Sequence, residues 1–391
     1  MRAERTNVLI VGLLHLGACQ EQAAVPAGAN VPGAGELASI LEPMRAEGDV
    51  PALAGAIVEE DGRVRLGVVG VRKAGDPTPA ALEDPFHLGS DTKAMTAVVV
   101  GRAVDDGRLT FLTTIGDVFP EWKGSIDSAY LTVTVDQLLA HRGGLIANLN
   151  DAKASFFPPE GDLRAPRLAH VKQGLQQKPH APPGTTFFYS NLGYVTLAAM
   201  VEQRTGRAWE ELVNEEVWTP LHIEGALFGP AGKADHVDAP WAHARILGFR
   251  IALAPSPYAD NPVVINPAGR VSVPLRGWAR FIADQLASFH GGGKLLRPET
   301  YEHLHTPLFG GDYVGGWGVR EASGGVDIRY SHDGSNTRNY ATARLFPAKH
   351  FAVLVATNQG GDAAQNACDR AAKALVRLHD DGLAQPPVPG R

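Results

Sequence analysis

Leu88-Gly89-Ser90-Asp91-Thr92-Lys93 is the stretch of this 391-residue chain that decides its fold. It opens a segment, Asp91 to Asp106, in which Met95, Val98, Val99 and Ala103 fall near one helical face and Gly107 supplies a stop. Ser90 and Lys93 stand three residues apart at the start of that helix, so a hydroxyl and an amine occupy neighbouring positions of its first turn. A serine hydroxyl is a weak nucleophile until a base takes its proton. A lysine at the positive end of a helix dipole, in a partly desolvated cleft, has its charged form disfavoured and its pKa lowered. The placement is poor for helix stability and suited to a base. S-x-x-K is a weak motif by itself, but it occurs here once.

Moving outward, Tyr189-Ser190-Asn191 is the one Y-x-N of the chain, after the turn Pro183-Gly184 and before a helical pattern. Alternation in an extended segment puts Tyr189 and Asn191 on one side and Ser190 on the other. A phenol beside an ammonium can share its proton, as base in acylation and as acid toward a leaving group. The Asn191 amide can hold a substrate carbonyl or the lysine. An isolated Y-x-N is otherwise a half-buried tyrosine near a helix cap. The third element, Tyr330-Ser331-His332-Asp333-Gly334-Ser335, ends a strand. H-x-G recurs at His87 and His141, so only position selects His332 and Gly334. An edge strand here can set the Ser335 N–H opposite that of Ser90 as an oxyanion hole, each donor worth about 3–4 kcal/mol. Arg338 is the nearby cation available to a substrate carboxylate, although a solvated loop arginine is the simpler reading.

Leu53 to Glu59 and Val64 to Val71 read as strands joined through Asp61-Gly62. At the far end Val326 to Ser331, Tyr340 to Phe346 and Phe351 to Thr357 read as three more, followed by a helix from Asp362 to Leu378. Short links between successive strands imply an antiparallel sheet built from both chain ends. Between them lie helical patterns at Val135 to His141, Leu192 to Thr205, Trp209 to Val217 and Leu275 to Phe289. The fold class expected is α+β: an antiparallel sheet flanked by helices, with an inserted, mostly helical region.

In this order the three motifs resemble the active-site set of serine β-lactamases and penicillin-binding proteins. The tyrosine form is most similar to class C β-lactamases, family VIII esterases and D-alanyl-D-alanine carboxypeptidases. Leu138-Leu139-Ala140-His141-Arg142-Gly143-Gly144-Leu145 resembles that family's L-L-x-H-T-S-G-L, with Arg142 and Gly143 as departures. Pro183-Gly184-Thr185, Pro267-Ala268-Gly269 and Thr357-Asn358 also fit, so the resemblance spans about residues 37 to 380. It implies a hydrolase with no cofactor, acylated on Ser90, with Lys93 and Tyr189 catalytic and with Asn191, His332, Gly334, Ser335 and Arg338 around the substrate. Penicillin-recognising members usually carry K-T-G where this chain has His332-Asp333-Gly334. A neutral histidine lacks the permanent cation that docks a carboxylate. This moves the expectation toward carboxylic esters or D-amino-acid-containing peptides, with a β-lactamase, a cell-wall D-alanyl-D-alanine carboxypeptidase or a non-hydrolytic penicillin- or wall-binding module as alternatives. Trp122, Trp317 and Tyr313 are candidates to shape an apolar acyl pocket, core packing being the default.

The formal net charge of −6 and the absence of any Lys/Arg run argue against nucleic acid as a partner. The histidines contain no H-E-x-x-H, so no metal mechanism is expected. With two cysteines, Cys19 and Cys368, there is no disulfide framework. Arg2 and Arg5 precede the apolar run Val8 to Ala18, too short to span a bilayer and suited to a signal peptide. Leu16-Gly17-Ala18-Cys19 resembles a lipobox, which implies lipidation of Cys19, and Gln20 favours the outer membrane. The expected organisation is a signal peptide at 1–18 and an Ala/Pro/Gly-rich tether at 19–36. A catalytic domain follows at 37–380, with a sheet part at 37–85 and 265–380 and a helical part at 86–264, and a disordered tail closes the chain at 381–391. An exported, periplasmic-side monomer, held to the membrane only by its lipid, follows. Cys368 is expected as a small buried residue on the last helix.

Overall fold

The computed structural model describes residues 35–149, 160–321 and 328–384. The expected signal segment, Cys19 and nearly all of the tether lie outside them, as do residues 385–391. Strands β1 (Ala52–Glu59) and β2 (Val64–Gly70) form the hairpin expected around Asp61-Gly62, with Val58 opposite Val64 and Gly62 at a φ of 86°. They join β8 (Tyr313–Val314), β9 (Trp317–Glu321), β10 (Ile328–Ser335), β11 (Tyr340–Phe346) and β12 (Phe351–Thr357) in one sheet, ordered β2-β1-β12-β11-β10-β9-β8. Every neighbouring pair is antiparallel, and β1 from the first half pairs with β12 from the end, Leu53 opposite Thr357.

Period-2 alternation divides the sheet residues between two cores. Leu53, Ile57, Phe351, Val353 and Val355 pack with Leu41, Cys368, Ala371 and Leu375 of the helices Ala38–Gly48 and Asp362–Ala384. Ala54, Ala56, Ala352 and Leu354 face the larger core, which holds Phe281 and Ile282 of the helix Leu275–Ser288. That core continues into helices Thr92–Asp105 and Asn191–Thr205. Both are buried on nearly every side, so they are apolar all round rather than amphipathic.

A second, three-stranded sheet has β7 (Val271–Pro274) between β3 (Pro85–His87) and β4 (Leu227–Phe228). It delivers the chain to Ser90: Leu88 N–H donates to the Val271 carbonyl at 2.9 Å, and Val271 N–H donates to Thr92 Oγ1 at 3.1 Å.

Several boundaries differ from expectation. The last helix runs to Ala384 and takes residues 381–384 from the supposed tail. The strand expected to end at Ser331 continues to Ser335. The helix from Trp209 stops at Val213 and widens into a π turn over Asn214–Trp218. The region 86–264 is not uniformly helical, since β5 (Ala242–Ile246) and β6 (Phe249–Leu253) form a hairpin within it. Among the described residues no helix is long and apolar enough to cross a membrane. Trp122 and Trp317 are core residues, 2% and 1% exposed.

Candidate active site

Ser90 sits in a 3-10 turn, Gly89–Asp91, that runs directly into the helix Thr92–Asp105. Lys93, on the first turn, is fully buried. Its Nζ lies 3.1 Å from Ser90 Oγ, 2.7 Å from Asn191 Oδ1 and 2.5 Å from the Ala268 carbonyl. Among the described residues it forms no ion pair with any carboxylate. Burial pushes the Lys93 amine well below its ordinary pKa, against the opposing pull of Asp91. Valence then orders the site. A neutral amine has two N–H bonds and one lone pair. Asn191 Oδ1 and the Ala268 oxygen can only accept, so they use both N–H bonds, and the lone pair is left for the Ser90 hydroxyl.

Asn191 begins a helix that Ser190 caps: Ser190 Oγ accepts from Gly193 N–H at 2.9 Å and donates to the Ile146 carbonyl at 2.6 Å. The cap turns Ser190 away while Tyr189 and Asn191 both meet Lys93, whose Nζ lies 4.8 Å from the centre of the Tyr189 ring. His141 braces this segment twice. Its carbonyl accepts from Phe188 N–H at 2.8 Å and its Nδ1 from Ser190 N–H at 3.1 Å, with the backbone in the left-handed region at φ 54°. The buried Tyr189 hydroxyl completes no hydrogen bond of good geometry, although Ser90 is close enough to offset part of the burial that raises the phenol's pKa. The phenol is therefore held protonated, which suits it to donate a proton rather than to serve as a base.

The third element reaches Ser90 through its backbone. β10 pairs with β11 through Ser335, but with β9 only as far as Ser331. His332 to Ser335 thus have one edge free of strand pairing, and the Ser90 turn lies along it. A Cβ on Gly89 would come within 2.4 Å of Ser335 N, and one on Gly334 within 2.8 Å of Ser90 N. Two glycines let the Ser90 and Ser335 amides approach one another. His332 itself is buried, with Nε2 3.1 Å from the Tyr313 hydroxyl. Burial lowers its pKa to about 3, so it is neutral and offers no docking cation. Tyr313 packs against His141 and Tyr189, with ring centres 4.6 and 6.3 Å away.

A cavity of about 320 Å³ opens beside Asn191 and Ser335, its polar lining including Asn148, His170, Asn261 and Asn336; Ser90, Lys93 and Tyr189 are not part of that lining. Among the described residues no Lys, Arg, Asp or Glu lines it. Arg338, expected near the substrate, is not part of this lining. Its backbone holds the loop, N–H to Asn336 Oδ1 at 3.1 Å and carbonyl to His243 N–H at 3.1 Å.

Sequence reasoning missed a buried network behind the site. Asp260 Oδ2 meets His87 Nε2 at 2.9 Å and Arg270 Nε at 3.0 Å, while its Oδ1 accepts from Asn336 Nδ2 at 2.8 Å. These partners lie far apart in sequence, and no local spacing could have paired them. Asn148 was missed for the same reason; its Oδ1 accepts from Asn191 Nδ2 at 2.8 Å and fixes which end of that amide faces Lys93.

The sequence matches the family described as Beta-lactamase over residues 37–378, and the chain belongs to that family. It is 26% identical over 342 residues to penicillin-binding protein 4 of Amycolatopsis lactamdurans, a match covering 82% of this chain and 84% of that one. The fold is similar to the octameric penicillin-binding protein homologue of Pyrococcus abyssi, with a TM-score of 0.70 and 23% identity over 88% of this chain and 76% of the other. It is also similar to the D-amino acid amidase of Ochrobactrum anthropi SV3, with a TM-score of 0.67 and 18% identity over 88% and 98% of the two chains.

Proposed function

We propose that this protein is a serine hydrolase that forms an acyl-enzyme on Ser90 and acts on uncharged carboxylic esters or on amides of D-amino-acid-containing peptides. The observation that carries this reading is the buried Lys93 amine, shared among Ser90 Oγ and two acceptor oxygens and ion-paired with no carboxylate among the described residues. Neutral Lys93 takes the Ser90 proton as Oγ attacks the substrate carbonyl. The Ser90 and Ser335 amides receive the developing oxyanion, and Tyr189 donates a proton to the departing oxygen or nitrogen. Protonated Lys93 returns its proton to the Tyr189 phenolate, which restores the neutral amine; water then attacks the acyl-enzyme with Lys93 again as base, and that proton passes to Ser90 Oγ as the acyl group leaves. A cavity lined by no Lys, Arg, Asp or Glu among the described residues, together with a neutral His332, supports uncharged substrates over those carrying a carboxylate beside the scissile bond. Export and lipid anchoring through Cys19 complete this proposal.

The test is turnover of short-chain nitrophenyl esters, D-amino-acid amides and a cephalosporin by the purified protein, with mass spectrometry after a fluorophosphonate probe. Ester or amide turnover with an adduct on Ser90 is expected. Ester turnover retained by Ser90→Ala would overturn the assignment, and a wild-type protein taking neither probe nor ester would identify a binding module.

A further inference from the structure

Glu60 follows β1, His350 precedes β12, and His290 follows the helix Leu275–Ser288. Glu60 N–H donates to the His350 carbonyl at 2.9 Å, which clamps those two residues at one end of the paired strands. Both imidazoles turn Nδ1 toward the same carboxylate oxygen: Glu60 Oε2 lies 2.8 Å from His290 Nδ1 and 2.5 Å from His350 Nδ1. The three ligand atoms all fall within 4.8 Å of one another. The rings lie 4.4 Å apart, centre to centre, at 31°. By contrast, the neighbouring histidines of His303-Leu304-His305 diverge, His303 Nε2 to Asp136 at 2.7 Å and His305 Nε2 toward Gln285 at 3.4 Å.

We propose that Glu60, His290 and His350 form a surface site for a divalent transition-metal ion of the zinc or nickel type, separate from the hydrolytic cleft. Two imidazole nitrogens and one carboxylate oxygen are a donor set such ions accept. With metal–ligand bonds of about 2.1 Å, adjacent ligands of an octahedral ion stand about 3 Å apart and those of a tetrahedral ion about 3.4 Å. The observed 2.8 and 2.5 Å need only a small expansion toward the octahedral value. Imidazole ring centres lie about 3.2 Å from a bound ion, so the 4.4 Å between rings subtends roughly 90°, the angle of two adjacent octahedral positions. The three ligands occupy one face, and the opposite face stays open to water. Both rings are exposed, His290 at 40% and His350 at 59%, so the ion has an entry path and the side chains have room to adjust. Bound there, it ties the ends of two sheet strands to the end of the helix packed on them.

The competing reading is a carboxylate shared by two imidazoles and nothing more. Untagged full-length protein, freed of metal with a chelator that is then removed, is titrated with zinc chloride and separately with nickel chloride in a calorimeter. Thermal unfolding is followed in parallel. One ion per chain at micromolar affinity and a raised Tm are expected. His290→Ala and His350→Ala should each weaken binding by at least about tenfold. Because these side chains touch no residue of the cleft, ester turnover of the double variant should match wild type and shows that it has folded. No binding at millimolar metal, or equal binding by the double variant, overturns the proposal whatever the hydrolase assays give.

Discussion

His87 and Asp260 couple the Ser90 turn to the opposite wall of the cleft. Nε2 of His87 lies 2.9 Å from Asp260 Oδ2, while its Nδ1 accepts the Gly89 N–H at 3.0 Å, one residue before Ser90. With Nδ1 accepting, the ring's proton sits on Nε2 and points at the carboxylate. Asp260 also holds Arg270 and Asn336, and Asn336 Oδ1 accepts from the N–H groups of Arg338 and Asn339. One buried carboxylate thus positions both backbone segments that carry the proposed oxyanion donors.

Asp260→Ala should therefore lose stability and turnover together. Burial raises the Asp260 pKa, but His87 and then Arg270 outweigh it and hold the carboxyl below its usual range. Removing it strands a buried guanidinium, at about 3–5 kcal/mol. A depressed carboxylate stabilises the fold above its unfolded pKa, near 3.9, and that contribution fades as pH falls through the folded value. Urea titrations should show the variant's deficit at pH 7 shrinking toward pH 3. A deficit equal at both pH values would remove the ionised network.

The acid side of the pH–rate profile should report Lys93. A protonated amine cannot take the Ser90 proton, so kcat/KM falls as pH drops through the Lys93 pKa and levels off above it. Because burial depresses that pKa, the plateau should be reached well below the free-lysine value of about 10.4. Lys93→Arg keeps the charge permanently and should lose as much ester turnover as Lys93→Ala, about 10²- to 10⁴-fold. A profile still climbing at high pH, or an active arginine variant, would show that some other group is the base.

Tyr189→Phe separates the two proton transfers. If the phenol serves the leaving group, its loss should be small for nitrophenyl esters, whose anion departs without a proton, and large for alkyl esters or amides. Equal losses on both substrates would place Tyr189 in activation of Ser90 instead.

What the sequence made legible was local. Ser90 and Lys93 share one helical turn, and Tyr189 and Asn191 flank a capping serine, so spacing alone brought each pair together. Asp61-Gly62 marked a hairpin because its turn chemistry is carried by adjacent residues. The junctions were hidden. His87, Asp260, Arg270 and Asn336 come from four segments, and no periodicity joins them. The helix Ala38–Gly48 contains Pro43, a residue that reads as a breaker, yet it forms because Leu41 is buried against Leu53 and Ile57 of the sheet. The histidine at 332 was recognised as uncharged, whereas its enclosure by Tyr313 depends on strands β8 and β9 folding back beside it.

Asn148→Ala tests the orientation of Asn191. Asn148 Oδ1 holds the Asn191 NH₂ group, leaving Oδ1 of Asn191 for Lys93 at 2.7 Å. Loss of a hydrogen bond worth about 1 kcal/mol should lower ester kcat roughly fivefold while leaving Tm nearly unchanged, since Asn148 is exposed. An unchanged kcat would show that Asn191 needs no such support.

Gly334→Ala is the most severe single-atom test of the site. A methyl there would lie 1.9 Å from the Leu88 carbonyl oxygen, 2.7 Å from Asp91 Oδ2 and 2.8 Å from Ser90 N. The first and last are backbone atoms of the Ser90 turn and cannot swing aside, so β10 must retreat and carry the Ser335 amide away from Ser90. Ester turnover should fall by at least the 10²- to 10³-fold expected for a lost oxyanion donor. Gly382→Ala is the matched control: it lies in the last helix with open space around it, and should leave turnover intact while adding about 0.5–1 kcal/mol of stability. Wild-type turnover in Gly334→Ala would mean that β10 does not approach the nucleophile this closely, and the second oxyanion donor would have to come from elsewhere.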